Sequence, residues 1–468
     1  MTLRNSSHYW QRLARLNKYP AGHLLIVSLV FGSTAIVTLG GLVSWGIIER
    51  RATVQRHEVE LAFQIAEAGV SYYRWHLAHA ATDYQDGTGG PGPYVHDYKD
   101  KDNVTIGQFS LTITPPPLGS TLVIIDSIGY LTSAPQRRRI VRARFAIPSL
   151  AKYALVINDN IRYGSTTETF GELHSNGGTR HDGIAHNLVS SAKTCYDDPD
   201  TVGGGSCERP GVWTSVSPAS NVFLAGTSFP VPAVDFAGLA GNLASIKTQA
   251  QSGGRYFAPS GSLGYRLVLK TDDTFDLYRV NTRIANCGGN NSWTINTQTL
   301  LGNYAFPGNG VIFVEDDLWV GGAINTAHLT IGAAYFPANP ATDKSIIVNN
   351  DVTYTNTDGQ DTIGFIAQKD IIVGLQAEEN LRVDGALIAS SGKFYRPTYS
   401  GCGSHTYKDQ LTAFGMIGSN TRPAVYYGSS GILSRDYIYD ANLLYGPPPE
   451  FPLASTQYSL IDWQEVLP

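Results

Sequence analysis

Charge is scarce in this chain. Asp, Glu, Lys and Arg make up 16% of its residues, and the net charge is only −5. No global excess of basic residues marks a phosphate-binding surface, so nucleic acid is not an expected partner. Methionine falls to 2 and cysteine to 4. The cysteines form no CxxC pair, which argues against a zinc or redox motif. GxSxG, HExxH and Walker loops are all missing, so no catalytic residue and no cofactor are assigned from motifs. "GTGGPG" at Gly87–Gly92 matches GxGxxG in form, but it follows a helical pattern and contains Pro91, which makes it a linker. What is plentiful is glycine (49) and tyrosine (26). That balance favours β-structure with many turns over helical bundles. A chain of 468 residues holds roughly three domains.

Long apolar runs are also missing, with one exception. Leu24 to Ile48 carries no charge over 25 residues. At ~1.5 Å per residue it can cross a ~30 Å bilayer core with some tilt. A secretory signal has an apolar core of only ~7–15 residues, so a membrane anchor is the expectation. Residues 1–23 form a basic leader with Arg4, Arg12, Arg15 and Lys18 and no acid. The positive-inside bias places it in the cytoplasm and the rest outside, as a single-pass membrane protein at the cell surface. Trp45 falls where an interfacial aromatic belongs. An amphipathic helix continues over 49–82, with Leu61, Ile65, Ala68, Tyr72 and Trp75 in one apolar stripe.

Within that second half stands "AFQIAEAGVSYYRW" (Ala62–Trp75), a glutamate and a glycine among large apolar residues. A long N-terminal helix of this order, with Phe63, Ala66, Glu67, Ala68 and Gly69 in a "YxxAEAG"-like segment, resembles the minor pilins of the PilX type. The resemblance covers about residues 20 to 150. It implies a type IV pilus-associated protein with no enzymatic activity. The implied partners are the membrane and pilin or pilus-assembly proteins. It also implies processing between Gly22 and His23. Pilins carry a glutamate at the fifth position after that cut, where this sequence has Val27.

Residues 104–147 hold three strand candidates, a small antiparallel module of the kind the resemblance implies. In the third, Arg139, Arg142 and Arg144 alternate with Val141, Ala143 and Phe145, an expected solvated face.

From 150 onward the sequence repeats weakly. "LVINDNIRY" (from Leu155), "IFVEDDLWV" (from Ile312), "IIVNNDVTY" (from Ile346) and "FIAQKDIIV" (from Phe365) align. "GELHSNGG" (from Gly171) and "GALIASSG" (from Gly385) form a second pair. Spacings of 34 and 19, with "AHLTIGA" between, suggest a unit of roughly 17–20 residues, one coil of a parallel β-helix. The expected fold is therefore mainly β with one long N-terminal α-helix: a pilin-like helix and small sheet, then a β-helix-like solenoid over 150–433. A β-sandwich is the alternative. Residues 196–300 interrupt the pattern with a loop and a helix that Asp235 would cap and Leu239, Leu243 and Ile246 would anchor. The Pro- and aromatic-rich tail, 434–468, is expected to lie extended along the coils.

Four groups remain as candidate sites. Outside the cytoplasm, Cys195–Cys207 and Cys287–Cys402 are the natural disulfide pairs; free buried thiols are the alternative. His174, His181 and His186 cluster without the spacing of a helical metal face. Asp351 and Asp370 occupy the same corner of the aligned repeats. Stacked ~5 Å apart, they would suit a Ca²⁺ ion, or the acidic column of an anchored polysaccharide hydrolase or lyase. The coil face, rich in Tyr, Asn and Thr, suits adhesion to surface glycans or other cells.

Overall fold

The computed structural model describes residues 21–201 and 207–467. The basic leader (1–20), part of the loop between Cys195 and Cys207, and the side chain of Leu239 lie outside the described residues. The chain is mainly β, with one helix of exceptional length, α1 (Ala21–His79). At ~1.5 Å per residue α1 is on the order of 90 Å long. It runs unbroken because no proline falls inside it. It ends at His79, slightly short of the expected 82.

Four antiparallel strands follow: β1 (Tyr94–Lys99), β2 (Thr105–Thr114), β3 (Val123–Leu131) and β4 (Ala134–Ala146). They form one sheet with the strand Ser459–Val466, which pairs antiparallel with β4. The second half of α1 covers this sheet. Ala62, Ile65, Ala66, Val70, Tyr73 and Leu77 pack on Phe109, Leu111, Ile125, Val141, Ala143 and Phe145, all nearly excluded from solvent.

The expected arginine face is present, but it is paired. Arg142 reaches Asp126 of β3 at 2.6 Å, while Arg144 and Arg139 meet Asp462 and Glu465 of the returning strand. The tail is therefore not simply extended along the coils. Asp462 sits directly opposite Arg144 and Glu465 reaches Arg139 diagonally, and opposite charges across a ladder stabilise that register.

Most of the rest of the chain forms three ladders of parallel strands; Gly264–Leu269, Thr274–Arg283 and Ile295–Ala305 form an antiparallel meander at their edge. In the first, one inward column runs Ile312, Ile331, Phe365, Leu387, Ile417, Leu155, Leu173, Val189, each paired with the next. All eight side chains are nearly excluded from solvent. A second ladder runs Leu318, Ile346, Ile371, Phe394. A third runs Val383, Ala413, Tyr437, Thr169, Ala185. No rung of this kind buries its apolar residues alone; the stacked column does.

The order of the first column departs from the sequence. The rungs at 155–191 do not begin the stack. They sit on top of the rung at 407–419, the chain's later part. Helix α2 (Phe236–Ser252) makes this possible. It lies along the outside of the first ladder, with Leu243 and Ile246 over Val311 and Phe313. It returns the chain to the far end, where Arg255–Phe257 pairs with Val311–Val314. Asp235 does accept a hydrogen bond from the Gly238 amide at 3.2 Å, the N-cap geometry. The interruption is shorter than 196–300, because Arg255–Phe257 and Gly264–Leu269 belong to the ladders. Likewise Gly431–Tyr439 is a rung of the third ladder and not the start of a tail. Past it, Leu443 and Phe451 cover the outer face at Ile366 and Ile388.

Candidate functional site

The stretch around Glu67 is a contact between two backbones. Ala62 and Ala66 face Gly129 of the sheet, Ile65 faces Gly107, and Gly69 faces Ser127 and Phe109. A Cβ on Gly129 would overlap the Ala62 carbonyl and the Ala66 amide, and one on Gly69 would overlap Ser127 and Phe109. Small residues on both sides are thus needed for α1 to lie directly on β3. Phe63 is half-buried, with its ring edge-on to Trp463 at 5.8 Å. Glu67 and Ala68 sit at the margin of this contact, half-buried. Among the described residues the Glu67 side chain makes no hydrogen bond or ion pair. The helix is tied instead by Glu58 to Arg137.

The other half of α1 touches nothing. It is the helix long and apolar enough to cross a membrane among the described residues, with mean hydropathy 2.1 over its most apolar stretch, and none of that stretch is buried by the rest of the chain. Gly22 and His23 lie in its first turn.

Asp351 and Asp370 do not stack. Ile371 pairs with Ile346, which sets Asp370 level with Ser345, six residues before Asp351 on the neighbouring strand. Each carboxylate takes a backbone amide of the next rung. Asp351 accepts from the Arg382 amide at 2.8 Å, and Asp370 from the Lys393 amide at 2.8 Å. Asp317 does the same for Ser345 at 2.9 Å. Burial raises the pKa of all three carboxyls. The misplacement has a plain cause. The repeat starting at Ile346 belongs to the corner between the second and third ladders, whereas those at Leu155, Ile312 and Phe365 turn from the first into the second. Among the described residues no group of three or more His, Cys, Asp or Glu is placed to hold a metal ion. The acidic column required for Ca²⁺ or for glycan cleavage is not formed by this pair.

The histidines are part of the packing. His174 lies against Tyr153 at 5.3 Å and hydrogen-bonds Ser190 at 3.1 Å and Asn176 at 3.0 Å. His186 stacks on Phe170 at 4.1 Å. His181 is fully enclosed between Tyr163 (4.9 Å) and Phe223 (6.4 Å). Burial pushes its pKa down to about 4, against the weaker opposing pull of Asp182.

This burial gives a testable pH dependence. Between about pH 6.5 and 4 the unfolded chain holds a proton on His181 that the folded chain refuses, so stability rises with pH across that window. It is complete above the unfolded value and falls on acidification by up to ~3 kcal/mol. A His181→Phe variant should show a urea midpoint that falls less between pH 7 and pH 4.5 than the parent's. Identical pH slopes for the two would remove the assignment.

Both cysteine pairs are bonded, Cys195 to Cys207 across 12 residues and Cys287 to Cys402 across 115, with Cα atoms 5.0 and 6.0 Å apart. The second ties the loop between Thr274–Arg283 and Ile295–Ala305 to the loop between Phe394–Tyr395 and Tyr407–Ser419.

No protein-family model and no curated protein matches this sequence. Among solved structures it is similar to the competence-associated pilin ComZ from Thermus thermophilus, at 12% identity, over 88% of this chain and 98% of that one, with a TM-score of 0.30. A likeness at that score carries no argument for fold or function.

Sequence reasoning missed the place where the two halves of the stack meet. Above Phe394–Tyr395 the second ladder continues as a single parallel bridge, Tyr395 to Ala424, and among the described residues no pairing links that to Ile161–Tyr163. A cavity of about 940 Å³ opens there, lined by Arg162, Tyr163, Lys393, Arg422, Tyr426, Arg435 and Tyr437 among others. Its residues come from positions 155–200 and 393–437, so no local pattern could have revealed it.

Proposed function

We propose that this chain is a membrane-tethered, pilin-like structural protein that displays a parallel β-helix outside the cytoplasm. The single observation behind this reading is the division of α1. One half is apolar and bare over a bilayer's thickness, and the other is bound to an antiparallel sheet through small residues on both surfaces. The three parallel ladders support the β-helix as a rigid displayed body. Residues 24–48 would be the anchor and 49–79 with 94–146 the pilin-like base. Gly22 would be the processing position, and the surface role would be adhesion. The disulfides fit an oxidising compartment.

Intact mass and N-terminal sequencing of the protein from its own cells test the reading, together with alkaline extraction of membranes. Recovery in the membrane pellet with a chain beginning at His23 supports a processed, filament-competent subunit. Recovery there with Met1 retained supports a fixed anchor, and a place inside a filament is then given up. Release of the intact chain into the alkaline supernatant overturns the tether.

A further inference from the structure

The seam in the second ladder joins two stretches of the stack that lie far apart in sequence. Its cavity has a charge unlike the rest of the molecule. Arg162, Lys393, Arg422 and Arg435 line it against one carboxylate, Asp200, in a chain of net charge −5. Two of these cations are answered locally: Arg422 by Asp200, and Arg162 by Asp182 at 3.6 Å. Lys393 lies over the Tyr395 ring at 4.8 Å.

Arg435 is different. It is 5% exposed, and no carboxylate among the described residues lies within ion-pair distance. All three of its nitrogens are engaged, but only by neutral acceptors: Nε by Thr167 Oγ1 at 3.3 Å, Nη1 by the Ile432 and Leu433 carbonyls at 2.6 and 3.3 Å, and Nη2 by Thr167 Oγ1 at 3.1 Å and Thr166 Oγ1 at 2.6 Å. A buried guanidinium without a counter-charge is costly, so an anion is the partner it lacks. Thr166 is exposed, so its hydroxyl can turn from accepting the Nη2 proton to donating to a ligand carboxylate, which leaves Nη2 to the ligand's other oxygen.

The mouth adds a second kind of contact. Tyr426 and Tyr427 are 46% and 39% exposed, and the Tyr426 ring lies 5.5 Å from the Arg435 guanidinium. Flat aromatic faces beside hydroxyl donors offer an apolar body with polar tips, which matches the face of a sugar ring. The volume falls within the roughly 300–1,000 Å³ of small-molecule sites.

We propose that this seam cavity binds a carboxylate-bearing oligosaccharide. The uronate carboxylate is held by Arg435 beside Thr166, and a neighbouring ring lies on Tyr426. The site binds without cleaving, and it does not depend on the membrane tether.

The test uses the full chain in detergent and isothermal titration with three probes: a glucuronate-containing hyaluronan tetrasaccharide, neutral chitotetraose and inorganic phosphate. The acidic tetrasaccharide should bind at least tenfold tighter than either of the others, and more weakly as salt rises. Tyr426→Ala and Thr166→Val, both exposed positions, should each weaken it at least fivefold, and Arg435→Gln more than tenfold. If the Arg435 variant fails to fold, the two surface variants decide alone. No binding, equal binding of the neutral sugar, equal binding of phosphate, or unchanged affinity in both surface variants would each overturn the proposal. None of these outcomes bears on whether α1 sits in a membrane.

Discussion

Replacing Cys287 and Cys402 together by serine is expected to lower the stability of the displayed stack by about 4–5 kcal/mol. The bond spans 115 residues, and closing a loop of that length removes about this much entropy from the unfolded chain. The loop at 284–294 that it secures is also held by hydrogen bonds, the Trp293 carbonyl accepting from Trp319 and Asn349. Asn290 reaches the Thr398 carbonyl at 2.7 Å, and Tyr399 donates to the Asn291 carbonyl at 2.8 Å. Denaturant titration of the double variant against the parent, both fully oxidised, measures the loss. The Cys195–Cys207 bond closes only 12 residues, so its removal should cost about 1–2 kcal/mol less. Equal losses for the two bonds would show that loop length is not the controlling quantity.

Gly129→Val should detach α1 from the small sheet. Its Cβ would overlap helix backbone at Ala62 and Ala66, and backbone cannot rotate aside as a side chain can. Overpacking of this kind costs ~1–3 kcal/mol when side chains can yield, and more when they cannot. We therefore expect a loss of at least ~3 kcal/mol, confined to the base. Hydrogen exchange at the amides of β2 and β3 should accelerate while the rungs at 311–389 keep their protection. Unchanged exchange in β3 would mean that the close approach of helix and sheet contributes little to holding them together.

Much of this architecture is legible in the sequence, because local pattern carries it. The charge-free run at 24–48 needs no tertiary context. Gly171 and Gly385 align in the repeat and do occupy equivalent corners, with φ of 145° and 135°, values that other residues adopt only with strain. Leu173 and Leu387 then fall in one column. Other features depend on partners far along the chain. The repeat from Ile346 has the same apolar spacing as that from Phe365 but turns a different corner, and nothing local distinguishes them. The pairing of Arg139 and Arg144 with Glu465 and Asp462 joins residues more than 300 positions apart. Stacking order is likewise not written in the repeat, because α2 carries the chain past rungs not yet formed.

That reversal bears on how the protein is made. Asn158 bonds Asn420 at 2.9 Å across a separation of 262 residues. A chain that emerges N-terminus first presents the rungs at 155–191 long before the strand at 407–419 on which they rest. Until that strand arrives, their lower edge is an open row of unpaired backbone groups, the kind of edge that recruits the wrong strand. Contacts this distant also slow folding, since the loop between them must close before any pairing rewards it. Successful folding therefore depends on keeping the early rungs apart from other copies until the last third of the chain has been delivered.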